Sequence, residues 1–304
     1  MGWKAFLSFL FFLLVIALLI LYWFIPFDTV EFGTSISNPN FNLNSTSLNN
    51  MQFYSNLRYP DSEISYKIYD ECTLQKKQDM ERAFEIISNL TVLKFYSVNF
   101  NEGLSIFCDE KNKIENDLFI AGEGGPVNIT QTDNFNVIFN ARILLIQDFR
   151  CDIPNVAIHE LLHALGFDHS SNKNNIMYPV TKCGQSIGED IPYWVNYLYS
   201  FETLPDLSFE NISAVMKGKY LDAEISIRNN GLKKTESVKI VIYADGKIIK
   251  EIPIESLEIG SGKIISLANI WITQLSIDEI KFVIDSNFDE LDKSNNVAVL
   301  KTKK

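Results

Sequence analysis

This chain of 304 residues has few histidines and few cysteines, and its basic residues are outnumbered by acidic ones. It has three histidines and four cysteines, and no two cysteines stand in a Cys-x-x-Cys spacing. Zinc knuckles and thioredoxin-like redox sites need that spacing, so the sequence argues against both. Lys and Arg number 27 against 38 Asp and Glu, which gives a net charge of −11. Nucleic-acid binding requires an excess of positive charge, and the sequence therefore predicts no nucleic-acid partner.

A glycine-rich stretch lacks the residues that a nucleotide-binding loop needs. Gly122, Gly124, Gly125 and Pro126 are followed by neither Lys-Ser nor Lys-Thr, and no helical pattern opens there. A phosphate-binding loop requires both features. The cluster is therefore predicted to be a turn between strands.

Residues 1–27 are predicted to form a transmembrane anchor. From Ala5 to Ile25 there are 21 residues without a charge, and a helix of about 31 Å is long enough to cross a bilayer core. A cleaved signal peptide is the alternative, but its apolar core is usually shorter and a small-residue cleavage site should follow. Here Trp-Phe-Ile-Pro-Phe-Asp follows. With Lys4 before the helix, the positive-inside rule puts the N-terminus in the cytoplasm and the rest of the chain outside it.

Composition divides the rest of the chain into three parts. Residues 28–59 are rich in Asn and Ser, and we expect a flexible tether there. Residues 60–203 mix strand-like and helix-like patterns, which predicts an α/β layered domain. Residues 204–304 contain about seven short alternating runs with Asn-Asn-Gly and Asp-Gly turns, which predicts an all-β immunoglobulin-like sandwich. Charge changes at the same boundary: residues 1–202 carry 13 basic and 23 acidic side chains, whereas residues 204–304 carry 14 and 15.

All four cysteines lie in the α/β part, at Cys72, Cys108, Cys151 and Cys183. An even number in an exported domain indicates two disulfides, for which three connectivities are possible. The alternative is four free thiols in a reducing compartment. It would require that the N-terminal segment does not direct the chain to a membrane.

The three histidines fall within one stretch of eleven residues, His-Glu-Leu-Leu-His-Ala-Leu-Gly-Phe-Asp-His. His159 and His163 are four residues apart, so they project from one face of a helix. Gly166 permits the conformation that ends the helix and turns the chain, and His169 then arrives as a third ligand. Three imidazoles with one open position describe a catalytic zinc site, with Glu160 beside it as general base. The alternative, a helix with solvated histidines, leaves the spacing unexplained.

Residues 60–203 resemble a matrixin-type metzincin, a clan of zinc endopeptidases. The resemblance rests on the histidine motif, on Ser170 after it, and on Ile176-Met177-Tyr178-Pro179. It implies a twisted mixed sheet above the cleft, an edge strand that pairs with extended peptide, and a Met-turn. Met177 is then a hydrophobic floor beneath the imidazoles rather than a ligand, although an ordinary core methionine is the alternative. Tyr178 and Pro179 are implied as part of the S1′ wall.

The resemblance also bears on the cysteines and on a second metal. No cysteine precedes Cys72, so this stretch cannot supply a propeptide cysteine that ligates zinc. Three histidines leave none for the family's second, structural zinc ion. The resembling fold places the ends of two neighbouring strands together, which implies a Cys72–Cys108 disulfide. Cys151 precedes the zinc helix and Cys183 follows the Met-turn, and we expect these two to pair and to brace the segments on both sides of the site.

Residues 204–304 resemble CARDB, an adhesion-related repeat of prokaryotic surface proteins. The resemblance rests on the motifs at residues 229–231, 243–247 and 290–296, which read Asn-Asn-Gly, Tyr-Ala-Asp-Gly-Lys and Glu-Leu-Asp-Lys-Ser-Asn-Asn. The acidic loop from Asp285 to Asp292 permits Ca²⁺, but only its charge supports this, and most such loops are solvated turns.

Two functions are compatible with the whole sequence. The first is a membrane-anchored, extracytoplasmic endopeptidase with one catalytic Zn²⁺, acting on peptide or protein substrates. The second is a cell-surface adhesion protein in which the metzincin fold is inactive or latent and the sandwich holds a surface partner. The intact ligands and the intact base favour the first, because an inactive enzyme usually loses one of them.

Overall fold

The computed structural model describes residues 2–24, 29–35, 51–109, 114–115, 118–146, 151–274 and 276–302. They form two compact units. The histidine unit comprises Phe41–Pro205 and Asn230–Lys234, and the sandwich unit comprises Met1–Asn40, Asp206–Asn229 and Thr235–Lys304. Both units therefore draw on stretches that are separated in the sequence.

The chain begins with helix α1 (Trp3–Phe24) and strand β1 (Thr29–Ser35). Within α1, Trp3–Tyr22 has a mean hydropathy of 2.9 over 20 residues, so this helix is long and apolar enough to cross a membrane. A signal sequence close to the N-terminus would pass the same test. The helix thus lies where the sequence predicts an anchor.

The histidine unit is a mixed α/β structure. Its helices are α2 (Leu74–Leu90), α3 (Asn155–Ala164) and α4 (Asp190–Leu198). Its strands are β2 (Leu57–Arg58), β3 (Glu63–Ile68), β4 (Lys94–Ser97), β5 (Leu104–Cys108), β6 (Ile114–Glu115), β7 (Leu118–Phe119), β8 (Gly122–Gln131) and β9 (Asn136–Leu145).

The main sheet of this unit has the order β2-β9-β5-β3-β4, and neighbouring strands run parallel. Strand β8 adds to β9 in the antiparallel direction, while β6 and β7 form a separate hairpin. The predicted mixed sheet is therefore confirmed. Among the described strands β8 pairs with β9 alone, so it forms an edge of the sheet.

Two helices cover the hydrophobic core beside this sheet. Helix α2 buries Met80, Ala83, Phe84 and Ile87, which recur at helical spacing and pack into one apolar face. Every residue of α3 is buried, as expected for a helix in the middle of a domain. At the start of α3 the cap position is Pro154, without a side-chain hydrogen bond.

The predicted turn at Gly122–Pro126 is wrong, because these residues lie inside β8. An edge strand tolerates proline, since one of its two sides needs no ladder hydrogen bond. None of the three glycines in this stretch has a positive φ; the positive-φ glycines of the described chain are Gly166, Gly218, Gly246 and Gly260. The glycines in β8 therefore serve something other than a turn.

Both disulfides join the cysteines that we expect to pair. Cys72, which follows β3, is bonded to Cys108 at the end of β5, with 5.0 Å between their Cα atoms. Cys151, before α3, is bonded to Cys183, and their Cα atoms are 5.2 Å apart. The second bond links the segment before the histidine helix to the segment before α4.

Within the described residues the sandwich unit has eight strands: seven from residues 204–304, as the sequence predicts, and β1 from the N-terminal part of the chain. Strand β1 is joined by β10 (Leu207–Lys217), β11 (Tyr220–Asn229), β12 (Val238–Ala244), β13 (Lys247–Ile254), β14 (Gly262–Trp271), β15 (Glu279–Asp285) and β16 (Val297–Thr302). Their order is β13-β12-β15-β16-β1-β10-β11-β14, and all neighbours are antiparallel. Strand β1 pairs with β10 through Thr29–Glu31 and with β16 through Phe32–Ser35, so it links the two halves.

The predicted tether over residues 28–59 is wrong at both of its ends. Residues 29–35 form β1, in which Phe32 is buried in the core of the sandwich unit. Residues 51–59 pack on the histidine unit, where Leu57 and Tyr59 enter the core. Residues 36–50, which include the Asn- and Ser-rich centre of the predicted tether, lie outside the described residues.

Candidate metal centre

Helix α3 brings two of the three histidines together. His159 and His163 lie one turn apart on the same face, and their Nε2 atoms are 3.0 Å apart. Both side chains are buried, with about a twentieth of their surface exposed. Because a helix repeats every 3.6 residues, the spacing of four residues alone produces this approach.

The third histidine reaches the pair through the turn after the helix. Gly166 has φ +98°, and its N–H donates to the carbonyl of His163 at 2.9 Å, which closes the helix. Three residues later, the Nε2 of His169 lies 3.2 Å from that of His163. A residue with a side chain is strained at this φ, and its Cβ would also meet the side chain of Leu57.

Backbone carbonyls fix the orientation of the two buried imidazoles. The Nδ1 of His159 lies 2.6 Å from the carbonyl oxygen of Ile176, and the Nδ1 of His163 lies 2.7 Å from that of Phe167. A carbonyl only accepts, so Nδ1 carries the proton in each ring and Nε2 presents its lone pair. Burial lowers the pKa of both rings, to about 4 for His163, which keeps them neutral.

Glu160 is almost completely buried beside this cluster. Burial first, and then the charge of Glu123, raise the pKa of its carboxyl to about 8. Its neighbours in the sheet are the residues of β8, whose Gly122 and Gly124 face it. A carboxyl held in such a place can take up and release a proton near neutral pH.

The segment after His169 supports the site from the other side. Met177 is buried, and its carbonyl accepts a hydrogen bond from the N–H of Ser170 at 2.8 Å. The carbonyl of its neighbour Ile176 holds His159, as described above. Tyr178 is half-buried and Pro179 is exposed, and their part in an S1′ wall stays a prediction.

Asn175 organises this turn, and the sequence interpretation missed it. Its side-chain oxygen accepts from the N–H of Met177 at 2.8 Å, and its carbonyl accepts from the N–H of Tyr178 at 3.0 Å. Asn readily forms such turns by bonding its own backbone two residues on. The Asn before Ile-Met-Tyr-Pro was therefore a usable signal.

The three histidines are the only group of metal-binding side chains that converges within the described residues. In the acidic loop considered for Ca²⁺, the carboxylates bond the protein instead. Glu290 accepts from the N–H of Leu207 at 2.8 Å, and Asp292 accepts from the N–H of Ser294 at 2.7 Å. Calcium binding at this loop therefore gains no support.

Comparison with known families divides the chain at the same place as the fold. Residues 58–192 match the matrixin peptidase family, and residues 204–299 match CARDB. Among curated proteins, macrophage metalloelastase of Rattus norvegicus is 27% identical over 140 residues, which cover 40% of this chain. The chain spans 28% of the length of that relative.

Solved structures also resemble part of the chain. The CARDB domain of a Pyrococcus furiosus protein, determined with di-metal ions, is 20% identical; the match covers 33% of this chain and 88% of that one, with a TM-score of 0.26. A domain of a putative cell surface protein from Methanosarcina acetivorans is 19% identical; the match covers 33% of this chain and 93% of that one, with a TM-score of 0.28. The two family matches alone assign residues 58–192 to a matrixin-type domain and residues 204–299 to a CARDB domain.

Proposed function

We propose that the chain is a membrane-anchored zinc endopeptidase that acts outside the cytoplasm. The observation that carries this proposal is the convergence of three imidazole Nε2 atoms beside a buried carboxyl. Two of these nitrogens lie 3.0 and 3.2 Å from the third. The matrixin match and the metalloelastase relative support the same class of reaction.

The donor set fits a zinc ion. In a tetrahedral site with Zn–N distances of 2.0–2.1 Å, two ligand nitrogens are about 3.3 Å apart, close to the separations in this cluster. Both buried rings turn an unprotonated Nε2 toward the same point, and lone pairs that face each other repel unless a cation lies between them. His159, His163 and His169 would hold the ion. Once bound, zinc lowers the pKa of a coordinated water towards neutrality and polarises the substrate carbonyl.

Glu160 then acts as the general base. It follows His159 directly on α3, so its carboxyl lies beside the ligands rather than among them. It accepts the proton of the attacking water and passes it to the leaving amine. Its burial excludes competing solvent, and the carbonyls of Ile176 and Phe167 keep the imidazoles from rotating. Removing the carboxylate should therefore stop turnover and leave metal binding intact.

The proposed location has three supports. Helix α1 is long and apolar enough to span a bilayer. The two disulfides of the histidine unit indicate an oxidising compartment. The CARDB match fits a cell-surface protein, whose second domain would position the protease or hold a partner.

The decisive experiment uses the full chain in detergent, loaded with zinc and offered a mixed peptide library. We expect cleavage by the parent, and at least a 1,000-fold loss of kcat in Glu160→Gln and Glu160→Ala, each of which still binds one zinc. Loss of zinc in these variants would contradict the role of Glu160. If the zinc-loaded parent cleaves nothing, the adhesion function with a latent or inactive protease fold replaces the proposal.

A further inference from the structure

We infer that Gly122 positions the catalytic carboxylate, because the side chain it lacks leaves the space that Glu160 occupies. The inference rests on the proposed role of Glu160 as general base. It assigns a positioning role to a residue on the opposite element, strand β8. The histidine motif itself gives no indication of this role of Gly122.

The geometry at Gly122 is specific to the Glu160 side chain. A Cβ at position 122 would lie 2.7 Å from Cγ, 2.9 Å from Cδ and 2.9 Å from Oε1 of Glu160. Non-bonded carbon atoms normally approach to about 3.5 Å. Any side chain at this position must therefore displace the carboxylate or the strand.

Gly124 faces the same helix but meets a different part of it. Residues two apart in a strand point to the same face. A Cβ at position 124 would overlap the backbone carbonyl oxygen of Glu160 and would lie 3.0 Å from its carbonyl carbon and from its Cα. Strand β8 thus crosses α3 in direct contact at Glu160, and the two glycines make that crossing possible.

The two contacts predict opposite consequences. The carboxyl end of Glu160 can rotate away from a new Cβ, so Gly122→Ala leaves the fold largely intact but moves the base. The backbone of a buried helix cannot yield in the same way, so Gly124→Ala separates β8 from α3 and lowers stability. Gly122 therefore acts on the position of the carboxylate, and Gly124 on the packing of the domain.

Backbone conformation does not account for these glycines. Neither has a positive φ, so an L-residue could adopt the backbone at both positions. Their neighbour Gly125 supplies a matched control in the same strand. A Cβ there would meet no atom within 4 Å, and alternation points it to the other face.

The test compares three zinc-loaded full-length variants with the parent. For Gly122→Ala we expect about a 100-fold lower kcat, since a displacement of about 1 Å can have that effect, with KM within about twofold and one zinc bound. Its crystal structure should show the Glu160 carboxylate in another rotamer. For Gly125→Ala we expect the kinetics and melting temperature of the parent, and for Gly124→Ala a lower melting temperature.

A Glu160 carboxylate in the parental position in Gly122→Ala, or an unchanged kcat, overturns the inference. If Gly122→Ala lowers the melting temperature, the same substitution is made in the Glu160→Ala variant, to test whether the loss comes from the contact with the glutamate side chain. Truncating the glutamate removes Cγ and the carboxyl, so the loss should disappear in Gly122→Ala/Glu160→Ala; a loss of the same size there contradicts the inference. If the parent shows no peptidase activity, the proposed function fails, while the crystal structures still decide the placement of the carboxylate.

Discussion

The histidine unit and the sandwich unit bury polar groups in different ways. In the histidine unit, two buried basic side chains donate hydrogen bonds to backbone carbonyls. Arg58, with 1% of its surface exposed, donates to the carbonyls of Tyr59, Pro60, Leu198 and Phe201. Lys76 donates to the carbonyls of Asp109 and Ile146 at 3.0 Å each. Both cations thus secure the ends of helices and strands around the site.

The sandwich unit relies on regular alternation instead. Its strands bury every second residue, as in β11 and β15, and its core is aliphatic apart from three buried phenylalanines, Phe32, Phe209 and Phe282. It contains no cysteine. Its buried charges are acidic, at Asp206 and Glu290. The comparison indicates that buried basic side chains and disulfides accompany the unit that carries the three histidines.

Removing the disulfides should have the largest effect and should separate the two units. Closed loops of 36 and 32 residues correspond to about 4 kcal/mol of stability each. We expect the double variant Cys72→Ser/Cys108→Ser and the double variant Cys151→Ser/Cys183→Ser each to lower the melting temperature of the histidine unit alone.

Calorimetry measures both transitions, and tryptophan fluorescence assigns them, with Trp194 reporting on the histidine unit and Trp271 on the sandwich unit. The parent treated with a reducing agent provides the control. A matching fall in the sandwich transition would show that the two units do not unfold independently.

Phe32→Ala perturbs the sandwich unit instead of the histidine unit. Position 32 precedes the histidine unit in the sequence, but its side chain lies in the core of the sandwich unit. Removing a buried phenylalanine costs about 4 kcal/mol. We expect the sandwich transition to fall and the histidine transition to stay, with Thr29→Ala, an exposed site in β1, as control. The reverse pattern in calorimetry would remove β1 from the sandwich core.

The smallest expected effect is the pH dependence of the sandwich unit. Burial, offset by the amide of Asn295 and reinforced by Glu290 and Asp292, raises the pKa of Asp206 to about 6. The native state therefore holds this proton at a pH at which the unfolded chain, with a pKa of about 3.9, has lost it. The favourable contribution is complete below pH 4 and is lost by pH 6, at most about 3 kcal/mol.

Asp206→Asn should remove that dependence, because the amide cannot ionise. Thermal unfolding of the variant and the parent from pH 4 to pH 7 measures it. We expect the advantage of the variant to grow as the pH rises to about 6 and then to level off. Asp289→Asn, at an exposed acidic residue of the loop that also contains Glu290 and Asp292, serves as control. A difference in stability between Asp206→Asn and the parent that does not change with pH would contradict the assignment.

Local patterns account for what the sequence predicts well. His159 and His163 are placed by one helical turn, Gly166 by its φ, and β11, β12 and β15 by alternation of apolar residues. Contacts between distant residues account for the failures. Thr29–Ser35 looks like part of a tether until β10 and β16, more than 170 residues away, supply its partners. In the sequence, Gly122 and Gly124 indicate a turn. In the structure they lie against α3, where the absence of a side chain leaves room for Glu160, and neither has a positive φ.

The pairing of strand β1 determines the effect of a cut in the backbone between β1 and the histidine unit. The main segment of the histidine unit, Phe41–Pro205, lies between β1 and β10 in the sequence, so the chain leads into the sandwich unit at both ends of that segment. Seven residues of β1 hold their ladder positions, three on β10 and four on β16. A single proteolytic cut between β1 and the histidine unit would therefore leave the rest of the chain attached to its proposed anchor by noncovalent contacts alone, through the strand pairing of β1 and its buried Phe32. Release after such a cut would require the sandwich unit to unfold, so its rate would follow the unfolding rate of that unit rather than the rate of cleavage.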